Sequence, residues 1–130
     1  MPIATLREQI KGRAAENFFI NRVMCRERWE NDLWPRWLIG IRRATQEEDK
    51  NGIDFFAETR DAGEIPIQIK SSSAGAKTYK EKHSGKNRTV CIVIIGENEL
   101  LGDVFRKTRK ALGLARHQIL NGKQQEFILA

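Results

Sequence analysis

The isoleucines of Ile65-Pro66-Ile67-Gln68-Ile69-Lys70 fall on alternate positions, and a β-strand sends alternate side chains to opposite faces. Ile65, Ile67 and Ile69 therefore form an apolar face that can pack, and Pro66, Gln68 and Lys70 form a face expected to look into a cleft. Just upstream, Ile53 to Thr59 reads as a second strand. The polar turn Arg60-Asp61-Ala62-Gly63-Glu64 joins the two, with Gly63 free to take positive φ. Val90 to Ile95 has the length and composition of a buried strand. Leu38 to about Ala44 is a further strand, following the break at Trp34-Pro35-Arg36-Trp37. Helical spacing appears at Ile10, Ala14, Ala15, Phe18, Phe19, Val23 and Met24, which predicts a helix from Thr5 to about Glu30. Asn98 can cap another from Glu99 to about Leu112, ended by Gly113. Thr45 to Asn51 reads as an acidic turn, and Ser72 to Arg88 as a long loop or irregular lobe. The tail from Ala115 adds a helical turn and a strand at Glu126 to Leu129. These elements make an α/β chain, a mixed four- to five-stranded sheet flanked by helices.

Composition narrows the class. The 130 residues make one domain, 1–130, with a core large enough to be stable alone and no room for a second recognition domain. A chain with 40% apolar residues and charges of both signs fits a soluble globular protein. No apolar run approaches the roughly 20 residues that span a bilayer, so no membrane partner is expected. The start, Met1-Pro2-Ile3-Ala4-Thr5, lacks a basic segment and an apolar signal core, and secretion is not expected. Cys25 and Cys91 are isolated thiols, read as reduced, buried cysteines of a cytoplasmic protein. With two Cys and two far-separated His, zinc has no ligand spacing to rest on.

The net charge of +6 points to a polyanionic partner, and its distribution says where. Lys77, Lys80, Lys82, Lys86 and Arg88 crowd the segment after the isoleucine strand, and Arg106, Lys107, Arg109, Lys110 and Arg116 crowd the last helix. The first group is well placed to hold phosphates. Its bland alternative is a solvated, lysine-rich surface.

Within this frame, Gly52-Ile53-Asp54-Phe55-Phe56 sets an acid at the start of one strand, and Gln68-Ile69-Lys70 sets an amide and a cation on the next, 14 positions after Asp54. A hairpin would bring Asp54 and Lys70 close together. The order resembles that of the PD-(D/E)XK nuclease superfamily, in which an Asp at a strand start precedes an acid-x-Lys on the neighbouring strand, usually after a helix bearing Glu. Lys11-Gly12-Arg13-Ala14-Ala15-Glu16-Asn17-Phe18-Phe19 looks like the first-helix segment of its Holliday-junction resolvases, and Gln68-Ile69-Lys70 resembles the Gln-x-Lys variant of Mrr-like restriction endonucleases. The likeness runs from about Gly12 to the strand near Ile95.

That resemblance implies a restriction-endonuclease-like α-β-β-β-α-β fold and a Mg²⁺-dependent (or Mn²⁺-dependent) DNA endonuclease, junction-resolving or restriction-like, working as a homodimer without an organic cofactor. It further implies Glu16, Asp54, Gln68 and Lys70 as catalytic residues. Asp54, Gln68, the Ile69 carbonyl and Glu16 would hold the metal, Lys70 would orient the attacking water, and Ser72, Lys77, Lys80, Lys82, Lys86 and Arg88 would contact DNA. Two departures stand out. Gln68 replaces the usual second carboxylate, so a cation should be held more weakly, and Gly52-Ile53-Asp54 lacks the eponymous Pro.

Each residue also has a structural reading. Glu16 is otherwise a solvated helix charge, Asp54 a cap, and Lys70 the ion-pair partner of Asp54. Trp29, Trp34 and Trp37 are more ordinary as core than as stacking platforms. His83 is an exposed loop histidine, and Glu47, Glu48 and Asp49 are a solvated turn. The alternatives in function are a catalytically inactive nucleic-acid-binding module of the same fold, and a cleavage subunit of a larger DNA-processing assembly.

Overall fold

Strand β3, Glu64–Lys70, is buried on both faces, and the rest of the chain is arranged to cover it. The computed structural model describes residues 6–24, 34–83, 88–122 and 127–129. Along these run α1 (Leu6–Phe18), a π-helical turn (Phe19–Val23), β1 (Leu38–Arg43), α2 (Gln46–Lys50), β2 (Phe55–Thr59), β3, α3 (Ser73–Lys82), β4 (Val90–Ile94), α4 (Leu101–Leu120) and β5 (Phe127–Leu129). The result is an α/β chain with an open, mixed five-stranded sheet in the order β1-β2-β3-β4-β5. Its first three strands are antiparallel, and β4 and β5 run parallel to β3.

The alternation of β3 divides the core in two. Ile65, Ile67 and Ile69 join Ala15, Phe19, Phe55, Val93, Val104 and Leu112 between the sheet, α1 and α4. On the opposite face Ile53, Phe56, Val90 and Ile92 pack with Ala76 and Tyr79 of α3. That face is not the open cleft expected, because Pro66 and Gln68 are buried as well. Strands flanked by helices on both sides are commonly enclosed in this way.

The expected loop over 72–88 is largely helix. Parallel β3 and β4 need a crossover, and α3 supplies it. Its signals were present in Ser72, whose Oγ accepts from the Gly75 N–H at 3.1 Å, and in Ala76 and Tyr79, which bury one side. Lysines and a glutamate masked that short apolar stripe. The acidic turn likewise closes into α2, where Thr45 and Glu48 form a reciprocal capping box.

Helix α4 is longer than the sequence spacing predicts and starts later. Leu100, not Asn98, stands at its N-cap. It passes Gly113, because buried Ala111, Leu112 and Ala115 continue the apolar stripe, and their burial outweighs the roughly 1 kcal/mol lost by a glycine in a helix. Gly122, at φ 65°, follows the helix end. The first helix departs from α geometry at Phe19, where Met24 N–H reaches back five residues to the Phe19 carbonyl at 3.0 Å. That widening keeps Ala15, Phe19 and Val23 on the core while Ile10, 57% exposed, and Ala14 face outward. The expected continuation to Glu30, with Cys25 and Trp29, lies outside the described residues, as does Lys86.

The hairpin turn conforms to expectation. Gly63 takes φ 73°, and Thr59 closes the turn by donating from its hydroxyl to the Gly63 carbonyl at 2.6 Å. Trp34 stacks in the core on Phe105 at 4.2 Å. Cys91 is fully buried, which pushes its thiol up to about 12.

Removal of the Ser72 cap tests α3 directly. Ser72→Ala should lower unfolding free energy by about 1 kcal/mol in urea titration; an unchanged midpoint would mean that α3 is held by Ala76 and Tyr79 alone.

Candidate functional site

Asp54 stands one residue before β2, at the point where the hairpin partner β3 continues without a neighbour on the β2 side. Its backbone is tied on both sides, donating to the Ile67 carbonyl at 3.1 Å and accepting from Ala44 N–H at 2.9 Å. The carboxylate then accepts from Ile69 N–H at 2.9 Å, in place of the ladder bond that β2 would have made. This is more than an end cap, because Glu16 approaches the same carboxyl from α1, within hydrogen-bonding reach of a shared proton. Two sequence-distant acids are thus brought together at the end of the sheet.

Electrostatics mark the pair as unusual. Burial pushes the Asp54 carboxyl up to about 8, and the charges of Glu16 and Asp49 act in the same direction, against the Ile69 N–H bond that favours the carboxylate. Near neutral pH, Asp54 therefore holds a proton that lies in the hydrogen bond between the two carboxyls. A divalent cation is the other means of relieving such a pair.

The surrounding donors are hard oxygens. Ile67 O and Ile69 N both point to the β2 side of β3, whereas Lys70 O accepts from Ile95 N–H on the β4 side at 2.8 Å. Alternation along the strand therefore directs the Ile69 carbonyl to the side where Asp54 stands. Gln68, next to it, is only 7% exposed, and its Oε1 is buried without a hydrogen-bond donor among the described residues. An orphaned buried acceptor costs about 1–3 kcal/mol, so an ion or water partner is the ordinary resolution. Among the described residues no three His, Cys, Asp or Glu side chains converge as a metal-holding group. The Asp54 and Glu16 carboxyls and the Ile69 carbonyl are hard oxygens of the kind that suit Mg²⁺ or Mn²⁺ and not a softer metal, and Gln68 Oε1 is a further hard oxygen on the neighbouring strand position.

Lys70 does not neutralise Asp54, as no ion pair joins them within 4.0 Å. Its ammonium lies over the Tyr79 ring, 5.3 Å from the centroid. Tyr79, which sequence reasoning passed over, donates from its hydroxyl to the Gly52 carbonyl at 2.6 Å. Burial pushes that phenol up to about 12, with the Asp54 charge adding to the effect and Arg88 opposing it. Its signal was the three-residue spacing from Ala76, hidden inside the expected loop. No protein-family model matches the chain, and no curated protein or solved structure is significantly similar to it.

The remaining candidates divide. Ser72 caps α3, so its oxygen is already engaged. Lys77 and Lys82 are exposed, and Lys80 and Arg88 half-buried. On a helix Lys77 and Lys80 lie about 60° apart, whereas Lys82 is roughly 140° from Lys77. His83 is the C-cap of α3 with its ring 4.3 Å from that of Tyr79, and not a loop residue. Glu48 is taken by Arg42, which grips both its oxygens at 2.9 and 3.0 Å and holds the carboxyl down at about 2. Several cations on α4 are neutralised in the same manner. Lys107 meets Glu99 at 2.9 Å, Arg106 meets Asp103, and Arg116 meets Asp61 beneath Trp37. A hollow of about 620 Å³ lined by Trp34, Pro35, Arg36, Trp37, Leu38, Arg60 and Asp61 lies at the far end of β2 from the acids.

The raised Asp54 carboxyl fixes a sign for stability against pH. Folding lifts it from 3.8 to about 8, so between those values the native state binds the extra proton. The associated stability is complete below about pH 4 and is lost as pH rises through about 8. Unfolding free energy measured in metal-free buffer should therefore fall across this range, by up to several kcal/mol given about 1.4 kcal/mol per tenfold change in proton affinity. Asp54→Asn should remove most of the slope, and equal slopes in the two proteins would contradict the buried pair.

Proposed function

We propose that this chain is a metal-dependent DNA endonuclease of the restriction-endonuclease-like fold, hydrolysing phosphodiester bonds. The observation that carries the reading is the Glu16–Asp54 pair at the end of β2, set against the Ile69 backbone, with Lys70 one residue further along β3. The α/β order and mixed sheet are compatible with that fold.

Phosphodiester hydrolysis passes through a highly anionic state, so a water must be activated and charge offset on the non-bridging and leaving oxygens. Asp54, Glu16, Gln68 Oε1 and the Ile69 carbonyl would hold Mg²⁺ or Mn²⁺, which when bound lowers the pKa of water and screens the phosphate. As a ligand Asp54 would be deprotonated, its proton passing to solvent. Lys70 orients the attacking water and balances developing charge. Lys77 and Lys80, on one side of α3, and Arg88 beyond it hold flanking phosphates as point charges. One domain cuts one strand at a time, so a homodimer supplies the second cut.

One observation favours a second reading. Gln68 adds no charge, and among the described residues no third acid converges with Glu16 and Asp54 as a metal-holding group. A catalytically inactive DNA-binding module would keep the same α3 surface without turnover. Plasmid nicking in Mg²⁺ decides between them: the wild-type protein should nick, and folded Asp54→Ala should lose at least 100-fold in rate. DNA binding by a wild-type protein that never nicks would establish the module instead.

The α3 surface is testable by salt. Phosphate contacts carry no sequence information, so Lys77→Ala with Lys80→Ala should weaken binding to all duplex sequences alike. The slope of log affinity against log salt should flatten by about 1.8, that is about 0.9 for each lost contact. Lys82→Ala, on another side of the helix, should leave the slope where it was; flattening by Lys82 alone would relocate the DNA.

A further inference from the structure

Tyr79 sits where the two halves of the acidic site meet. It is 5% exposed, and its ring packs edge-on to Phe127 at 5.9 Å. The hydroxyl reaches out of this apolar layer to the Gly52 carbonyl at 2.6 Å, two residues before Asp54. The ring face carries the Lys70 ammonium at 5.3 Å. One side chain on α3 thus holds the loop that presents Asp54 and the end of the strand that presents Lys70.

The loop is shaped for this grip. Gly52 has φ 85°, a conformation that L side chains rarely adopt, and a Cβ there would come within 2.7 Å of the His83 ring. The close approach of Gly52 to α3 is therefore built into the chain. A buried phenol hydroxyl needs an acceptor, and this one takes it from a loop 27 residues away in sequence, so the bond ties that loop to α3. A Phe would fill the same apolar layer without that tie.

We infer that Tyr79 is a positioning residue, a clamp that fixes Asp54 and Lys70 relative to one another through its hydroxyl and its ring face. The inference rests on the nuclease reading for its catalytic consequence and on the Tyr79 contacts alone for its structural one. Groups that hydrogen-bond metal ligands typically control affinity by 10–100-fold, and the hydroxyl of Tyr79 acts one step further out, through the Gly52 carbonyl two residues before Asp54. The ring acts separately, because a cation over an aromatic face keeps its place when the hydroxyl is removed and loses it when the ring is removed.

Two substitutions separate these actions, with Phe127→Leu as the control for packing against the same ring. In Tyr79→Phe, calorimetric Mg²⁺ affinity should fall by about 10–100-fold while KM for DNA stays constant, and saturating Mg²⁺ should restore kcat. In Tyr79→Leu, kcat should remain depressed on the order of tenfold at saturating Mg²⁺, because Lys70 has lost its seat. Hydrogen exchange across residues 51–56 should accelerate in Tyr79→Phe and not in Phe127→Leu. Unchanged Mg²⁺ affinity together with unchanged exchange in Tyr79→Phe would reduce Tyr79 to a packing residue and overturn the clamp. A wild-type protein that neither binds Mg²⁺ nor nicks DNA would remove the nuclease reading, and the exchange measurement would then decide the clamp by itself.

Discussion

Strand β3 is enclosed by α1 and α4 on one face and by α3 on the other, and the environment of the acidic site follows from that enclosure. Its last turns of backbone extend beyond β2, so Ile69 N–H lacks a ladder partner and takes the Asp54 carboxylate instead. Because α1 covers the same end of the sheet, Asp54 is withdrawn from water and shares its surroundings with Glu16. Desolvation, the largest influence on Asp54, is thus a consequence of core packing. The site is strained electrostatically by the same burial that stabilises the sheet.

The distribution of positive charge follows a related logic. Arg42 joins Glu48, Glu58 and Glu64 across β1, α2, β2 and β3 and lies over Phe56 at 4.5 Å, so it fastens one side of the sheet. Arg116 and Lys107 fasten α4 to the β2–β3 turn and to the segment after β4. Such exposed pairs contribute little each. Their effect is to neutralise these cations in place. Lys77 and Lys80 on α3, just past Lys70, form no ion pair among those seen in the described residues. A chain with a net charge of +6 therefore presents its unneutralised charge more selectively than its composition suggests.

The Ile65-Ile67-Ile69 alternation, the Gly63 turn, the apolar run at Val90 and the break at Trp34-Pro35 were all legible in the sequence, because period-two burial and turn chemistry are local properties. So were Asp54, Gln68 and Lys70 as candidates, since each stands at a strand end or on a strand face whose position the periodicity sets, whereas Glu16 stands on α1. The helix over 73–82 was not legible. Its core contact is only Ala76 and Tyr79, too short a stripe to stand out among lysines, and its formation is required by the parallel pairing of β3 with β4, a non-local fact. Gly113 misled for the opposite reason, because burial of Ala111, Leu112 and Ala115 overrode a local breaker.

The sequence by itself determined the α/β order and where the candidate acids, amide and lysine stand within it. Tertiary structure alone decided that Glu16 meets Asp54, that Lys70 rests on Tyr79 in place of an ion pair with Asp54, and that Gln68 is buried with an unsatisfied oxygen. The physical reason is range. Alternation, caps and turns act over a few residues, whereas desolvation and the convergence of side chains 38 and 9 positions apart depend on how helices close over a sheet.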